Sequence, residues 1–465
     1  MARVPGRVGF RLKRGAALPI EVEVTSLAHD GRGVARHEGK TVFVAGALPG
    51  EQVRCTRYRL HRQYDEARLV EVLRSSPDRV PPRCAAFGVC GGCVLQQLAP
   101  ARQVAFKQTQ LAEELARIGR VAPAEWLTPL TGPEWCYRRR ARLGARYVPR
   151  KDRVLVGFRE RGSAHVTEAA RCEILAVPVD GLLAPLGELI GSLTIRARVP
   201  QIEVAVGDEN TVLLLRVLEP PAAPDLEQLR AFAARYGVEL WLQPGGIETA
   251  APLDPPGAGL RYELRESSLR LDFLPTDFVQ INAALNERMV VRAVELLAPA
   301  PGDRVLDLFC GLGNFTLALA RCAASVVGVE GDAGLVARAH GNALLNGITN
   351  AAFFTGNLFE PDGGAVWALG RYDKVLLDPP RAGAREILPL VAASSALRVV
   401  YVSCHPGSLA RDAGILVREH GFRLAAAGVM DLFPHTAHIE SIAVFERGGG
   451  SSPGRAAAWR GGRRS

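Results

Sequence analysis

Two kinds of hydrophobic patterning divide the chain. Near the start, segments 20–24, 31–36, 41–44, 51–55 and 67–72 alternate apolar and polar residues and are separated by turn residues. Five such strands closed off by Pro77 predict a small β-barrel of the oligonucleotide-binding type. Over 98–120 the period becomes helical, with Val104, Leu111, Leu115 and Ile118 on one stripe and Gly119 near the end, and this helix reads as scaffold. The stretch from 179 to 270 mixes strands with a helix over 226–236. A further helix over 282–297 places Leu285, Met289, Val290, Val294 and Leu297 on one face. Beyond it lie apolar strands, each ending in an acid, an amide or a thiol, which predicts a doubly wound α/β sheet with its ligands at the carboxyl ends of the strands.

A length of 465 residues exceeds one ordinary core and implies two or three domains, and the 48% hydrophobic content is that of a globular protein. The formal net charge of +9 is spread unevenly. The first twenty residues hold no Asp or Glu, and the charges from Gly448 to Ser465 are all arginines. Both ends read as solvated basic arms, suited to a polyanion such as nucleic acid. A second basic region runs from Tyr137 to Arg161, including Arg138, Arg139, Arg140, Arg142, Arg146, Arg150 and Arg153. Strand-like alternation there predicts an exposed arginine face, with Tyr137 and Tyr147 between the cations, able to pair with phosphates and stack on bases. Nine cysteines are too few for a secreted disulfide framework, so a reducing cytoplasm is expected. The Arg-rich start imitates a transit peptide but is short and lacks serine. No apolar run approaches the length of a membrane span.

Cys84, Cys90, Gly91, Gly92 and Cys93 fall within ten residues, a spacing that lets thiolates converge on an inorganic centre. Cys172 is the expected fourth ligand, because Cys55 lies in the barrel and the other cysteines sit in other recognisable contexts. Spacing alone leaves an iron–sulfur cluster, a four-cysteine zinc and unconnected buried thiols open.

Asp307-Leu308-Phe309-Cys310-Gly311-Leu312-Gly313-Asn314 joins an apolar strand to a helix through a glycine-rich turn. It lacks the third glycine of the dinucleotide fingerprint, and its Asp-x-Phe-x-Gly-x-Gly order resembles motif I of S-adenosylmethionine-dependent methyltransferases. Later strands end in Glu330, Asn357 and Asp378, which suits a nucleoside-type cofactor: Glu330 on the ribose hydroxyls and Asn357 on the adenine. Asp378-Pro379-Pro380 also occurs in enzymes that methylate exocyclic amines, and those need no thiol. Here the next strand ends in Val402-Ser403-Cys404, and a thiol beside a methyl donor points to an electron-poor carbon. Thiolate addition at C6 of a pyrimidine makes C5 nucleophilic, and a base must then remove the C5 proton.

At this point two resemblances enter. His29-Asp30-Gly31-Arg32-Gly33-Val34-Ala35, the 39–44 strand and Leu48-Pro49-Gly50-Glu51 resemble the TRAM module of RNA-modifying enzymes. Motif I, Leu377-Asp378-Pro379-Pro380-Arg381, Val402-Ser403-Cys404 and Phe433-Pro434-His435-Thr436-Ala437-His438-Ile439-Glu440-Ser441 resemble the signatures of the RNA uracil-5-methyltransferase family. The chain is most similar to the branch that methylates uridine in 23S ribosomal RNA and carries a [4Fe-4S] cluster. That resemblance implies Cys404 as nucleophile and Glu440 as general base. It implies cofactor contacts from Gln280, Phe309, Asn314, Glu330, Asn357 and Asp378, and cluster ligation by Cys84, Cys90, Cys93 and Cys172.

The expected fold is therefore α/β. A Rossmann-like methyltransferase domain over 276–447 follows a TRAM-like, OB-like barrel over 19–76 and a mixed α+β iron–sulfur, RNA-contacting domain over 77–275. The helix at 98–120 could pack on the catalytic domain, and basic arms cover 1–18 and 448–465, the latter expected to be disordered. The expected protein is a cytoplasmic monomer with 23S rRNA as partner and no membrane association. Rival expectations are uridine methylation of transfer RNA or of another rRNA position, and a non-catalytic RNA-binding or assembly factor on the same fold.

Overall fold

The computed structural model describes residues 19–447 except 256 and 258, so both predicted basic arms lie outside the described residues. Strands β1 (Ile20–Leu27), β2 (Gly33–His37), β3 (Lys40–Ala45), β4 (Gln52–Leu60) and β5 (Tyr64–Arg74) close into a barrel in the order β1-β2-β3-β5-β4. Its interior is filled by the inward positions of the alternation, among them Val22, Val24, Val42, Val44, Val53 and Ala67. At its base the fully buried Glu51 accepts bonds from Leu48 N and from Arg79 Nε at 2.8 and 2.6 Å, which seals the barrel against the following segment.

Helix α1 (Pro100–Glu114) starts on a proline and widens into one π-helical turn at Leu115–Gly119. Gly119 permits that ending, since a Cβ there would stand 2.6 Å from the Ala410 carbonyl oxygen. Leu111 and Leu115 enter the core, but Ile118 is exposed. In its place the polar Gln103 and Lys107 are buried, so the helix is not the simple apolar stripe expected.

The short β6 (Glu125–Trp126) leads to β7 (Arg140–Val148) and β8 (Arg153–Gly157). Helix α2 (Leu183–Ser192), β9 (Gln201–Val206), β10 (Thr211–Arg216), α3 (Ala223–Tyr236), β11 (Glu239–Gln243) and β12 (Ala251–Pro252) follow. They form a six-stranded sheet in the order β12-β11-β10-β9-β7-β8. This sheet corrects the expected arginine face. Tyr137 is buried in an apolar cluster with Cys93 and Ile174, and Arg139 is buried and paired with Asp208 at 3.0 Å. Arg138 lies over Phe158, Arg142 pairs with Glu203, and Arg153 and Lys151 share Glu168. Partners distant in sequence thus neutralise much of the run, while Arg142 and Arg146, four residues apart on one face of β7, stay exposed.

A hairpin of β13 (Leu260–Leu264) and β14 (Leu269–Phe273) and helix α4 (Ala283–Leu297) precede the last sheet. The Asn282 side chain caps α4 by accepting from Leu285 N at 3.2 Å. Then come β15 (Arg304–Leu308), α5 (Thr316–Ala320), β16 (Ser325–Glu330), α6 (Ala333–Leu345), β17 (Ala351–Thr355) and β18 (Lys374–Leu377). The chain ends with α7 (Leu388–Ala393), β19 (Arg398–Ser403), α8 (Pro406–Arg418), β20 (Phe422–Met430) and β21 (Glu440–Arg447). The order β17-β16-β15-β18-β19-β21-β20-β6 has five parallel strands, then β21 antiparallel to β19 and β20 antiparallel to β21. Apolar residues on both faces of β15, β18 and β19 are buried, as a helix-covered parallel sheet requires. Its neighbours β16 and β18 leave β15 in opposite directions, which opens a crevice at the carboxyl edge. Among the described residues no helix is long and apolar enough to cross a membrane.

Candidate active site

The crevice takes its side chains from successive strand ends. After β15 the backbone turns at Phe309 and Gly311 with φ of 65° and 55°. The glycine adopts that left-handed conformation without strain. Glu330, ending β16, accepts from Gly311 N at 3.1 Å and from Gly331 N at 2.7 Å, tying the glycine turn to the next strand. Asn314 forms a reciprocal amide pair with Asn286 at 2.9 and 3.0 Å and accepts from Tyr262 Oη at 2.8 Å. Asn357, exposed after β17, accepts from Phe359 N at 3.1 Å in a local turn. Phe309 and Phe359 stand with ring centres 5.9 Å apart. Gln280 is half-buried ahead of the cap of α4, next but one to Phe278, which is 70% exposed.

Acids accumulate on this edge. Asp307 is fully buried and accepts from Thr316 Oγ1 at 2.5 Å, while its Oδ1 has no hydrogen-bond partner among the described residues. Burial pushes it up to about 8. Asp378 is raised to about 7 by burial and by Glu330. Clustered carboxylates of this kind favour a cationic, hydroxyl-bearing ligand, which would relieve their repulsion and satisfy the orphaned oxygen.

Cys404 and Glu440 meet through strand register. In the antiparallel pairing of β19 with β21 the last pair is Ser403 with Ser441, and Cys404 and Glu440 are the next residues on the two segments. Burial raises the Cys404 thiol to about 11, with Glu440 and Asp378 adding to it. Burial and Asp378 raise Glu440 to about 8. Arg381 opposes both shifts and also donates from Nη2 to His438 Nδ1 at 2.8 Å. Arg381 and His438 were visible only as motif letters. The buried Lys107 of α1, which also lowers the pKa of Glu440, has one local signal, its place four residues before Leu111 on the apolar stripe.

Cys84, Cys90, Cys93 and Cys172 come together away from this edge. Each of the other three raises the Cys93 thiol, which burial already pushes up to about 12. Cys93 and Cys172 share an apolar cluster with Phe87, Trp135 and Tyr137. Among the described residues no group of three or more His, Cys, Asp or Glu side chains is arranged to hold a metal ion.

A sheet of this order, with acids at the strand ends on both sides of its switch point, defines a Rossmann-like methyltransferase fold. The same overall architecture is found in the Pyrococcus abyssi tRNA (uracil-54, C5)-methyltransferase, solved in complex with S-adenosyl-L-homocysteine. That structure matches with a TM-score of 0.71 at 22% identity, covering 92% of this chain and 100% of that one. A family model described as tRNA (Uracil-5-)-methyltransferase matches residues 261–355 and 367–448, and a TRAM domain model matches 15–70. The Alkalilimnicola ehrlichii protein named 23S rRNA (uracil(1939)-C(5))-methyltransferase RlmD is 53% identical over 441 residues, 95% of this chain and 99% of that one. Its namesake from Methylococcus capsulatus is 51% identical, covering 95% and 100%. The chain belongs to the RNA uracil-5-methyltransferase family, and its barrel is a TRAM domain.

Proposed function

We propose that the protein methylates C5 of a specific uridine in 23S rRNA, with S-adenosylmethionine as donor, through a covalent adduct between Cys404 and C6. The observation that carries this reading is the register that sets a thiol opposite a buried acid, beside the carboxylate-rich crevice. Relatives at about half identity named for 23S rRNA favour that substrate over transfer RNA. In this reading the protein acts as a cytoplasmic monomer.

Gln280, Phe309, Asn314, Glu330, Asn357 and Asp378 hold the donor, and the acid cluster suits its positive charge. When bound, the donor supplies an electrophilic methyl group. Cys404, as thiolate favoured by Arg381, adds to C6, and the C5–C6 electron pair moves toward O4 as an enolate. C5 takes the methyl. Glu440 then removes the C5 proton, the double bond returns, and the thiolate leaves.

Cys84, Cys90, Cys93 and Cys172 are read as ligands of a [4Fe-4S] cluster with a structural role in a central domain over 77–275. Their mutual proximity in an apolar pocket supports this.

Two measurements test the function. Methyl mapping of 23S and transfer RNA from a deletion strain should show one unmethylated 23S uridine; a loss confined to transfer RNA would refute the substrate. RNA carrying 5-fluorouridine should trap the parent protein covalently and fail to trap Cys404→Ala. An equal yield of adduct from both would remove Cys404 as nucleophile.

A further inference from the structure

The segment from Asp431 to Glu440 carries the candidate base, yet the side chain at its root comes from the other end of the chain. Lys107, on α1, is 1% exposed. Its Nζ donates to Asp431 Oδ1 at 2.5 Å and to the Phe433 carbonyl at 2.9 Å. One turn earlier, Gln103 accepts from His435 N at 2.8 Å and donates from Nε2 to the Leu95 and Leu98 carbonyls at 3.0 and 2.8 Å. Val94 N and Leu95 N both donate to the His435 carbonyl, and Tyr137 Oη donates to the Pro434 carbonyl. His435, itself at φ 66°, stacks on Trp135 with ring centres 4.0 Å apart. The segment is therefore clamped, and Lys107 supplies the clamp's charged bond.

A buried lysine is an expensive way to hold a loop. Burial lowers its pKa, and Asp431 and Glu440 oppose that shift. Gln103 performs the neutral part of the same job one turn away, so backbone anchoring alone does not call for an ammonium. Asp431 directly follows Met430, which pairs with Glu440 across β20 and β21, so the ammonium is bonded next to the strand position opposite Glu440. The charged groups facing Glu440 are Asp378, at the end of β18, Arg381 after it, and Lys107 from α1, with the Cys404 thiol opposite. Asp431 and His435 face Lys107 itself.

We propose that Lys107 is a positioning residue for the methylation reaction: helix α1 delivers its ammonium to anchor the 431–433 backbone and to set a positive charge beside the strand end that carries Glu440. This inference rests on the reading of Glu440 as the group that takes the C5 proton. It links the N-terminal half of the chain to proton abstraction without any contact to substrate.

The test uses the full-length protein and a 23S rRNA transcript labelled with tritium at uridine C5, so that tritium release reports removal of the C5 proton. Lys107→Gln is the first variant. The double variant Lys107→Met with Asp431→Leu is the second, since replacing both members of a buried pair by apolar residues leaves no uncompensated charge. Without Lys107 the carboxyl of Glu440 holds its proton to higher pH. The rising limb of tritium release should therefore move up by about one pH unit, with release about tenfold slower below the limb and restored above it. Covalent adduct should also accumulate on ordinary RNA, and Lys107→Arg should bring the limb back. A uniform loss at every pH, or an unmoved limb in the folded double variant, would overturn the proposal. Glu440→Gln in the otherwise unchanged protein separates the two readings: trapped adduct upholds Glu440 as base whatever Lys107 does, and tritium release at the parental rate removes both.

Discussion

The charge state of Asp378 predicts how the donor and its demethylated product should differ in affinity. In the free protein, burial and Glu330 hold this carboxyl up to about 7. It is therefore largely protonated at pH 5.5 and ionised at pH 8. S-adenosylmethionine carries a sulfonium charge that S-adenosylhomocysteine lacks, and their amino and carboxylate groups are shared. The ratio of the two affinities thus isolates the sulfonium. Returning Asp378 from about 7 to the ordinary carboxylate value of 3.8 is a shift of about three units, a ceiling of about 4 kcal/mol at about 1.4 kcal/mol per unit. Asp378 is half-buried, and solvent screening leaves roughly a third of that, about a tenfold preference. Titration calorimetry at fixed ionic strength should show the preference for the sulfonium ligand growing about tenfold from pH 5.5 to 8 and then levelling. Asp378→Asn should flatten the curve. Parallel pH profiles for the two ligands in the parent protein would refute the reasoning.

The same acids predict the pH dependence of stability. Asp307, Asp378 and Glu440 have folded pKa values raised to about 8, 7 and 8, so their contribution is fully present below the ordinary carboxylate range and is lost as pH rises through 7 to 8. Calorimetric melting of ligand-free protein should fall over that window, and Asp378→Asn with Glu440→Gln should reduce the fall. Asp412 is fully buried and accepts from Tyr401 Oη and Ala384 N, both at 2.7 Å. Asp412→Ala strands both donors and should cost about 2–5 kcal/mol in urea unfolding. Gly119→Ala drives a Cβ to within 2.6 Å of the Ala410 carbonyl oxygen and should lower stability by about 1–3 kcal/mol while loosening α1 from α8. Cys172→Ala should lower iron content and visible absorbance of anaerobically purified protein. A colourless parent with stoichiometric zinc would overturn the cluster reading.

Strand ends and glycine turns are local features, which is why the crevice was legible in the sequence. Glu330, Asp378 and Cys404 each close an apolar run, Asp307 and Gly311 flank the end of another, and a run of that length can end only at the edge of its sheet. The barrel was legible for the same reason, since inward and outward residues alternate within each strand. Partnership was not. The run from Arg138 to Arg153 reads as a phosphate-binding face until Asp208, Glu203 and Glu168 arrive from other elements to pair with several of its members. Gln103 and Lys107 fall in the same i, i+4 row as Leu111 and Leu115, but as polar residues they gave no sign of burial, because the groups that make it tolerable lie in the loop at 431–435. The sequence by itself determined which residues can do chemistry and which strand each one terminates. The tertiary structure alone decided that the strand ends carrying Cys404 and Glu440 lie side by side and that Lys107 is paired with Asp431, because antiparallel register and buried charge pairing depend on segments that meet only when the chain has folded.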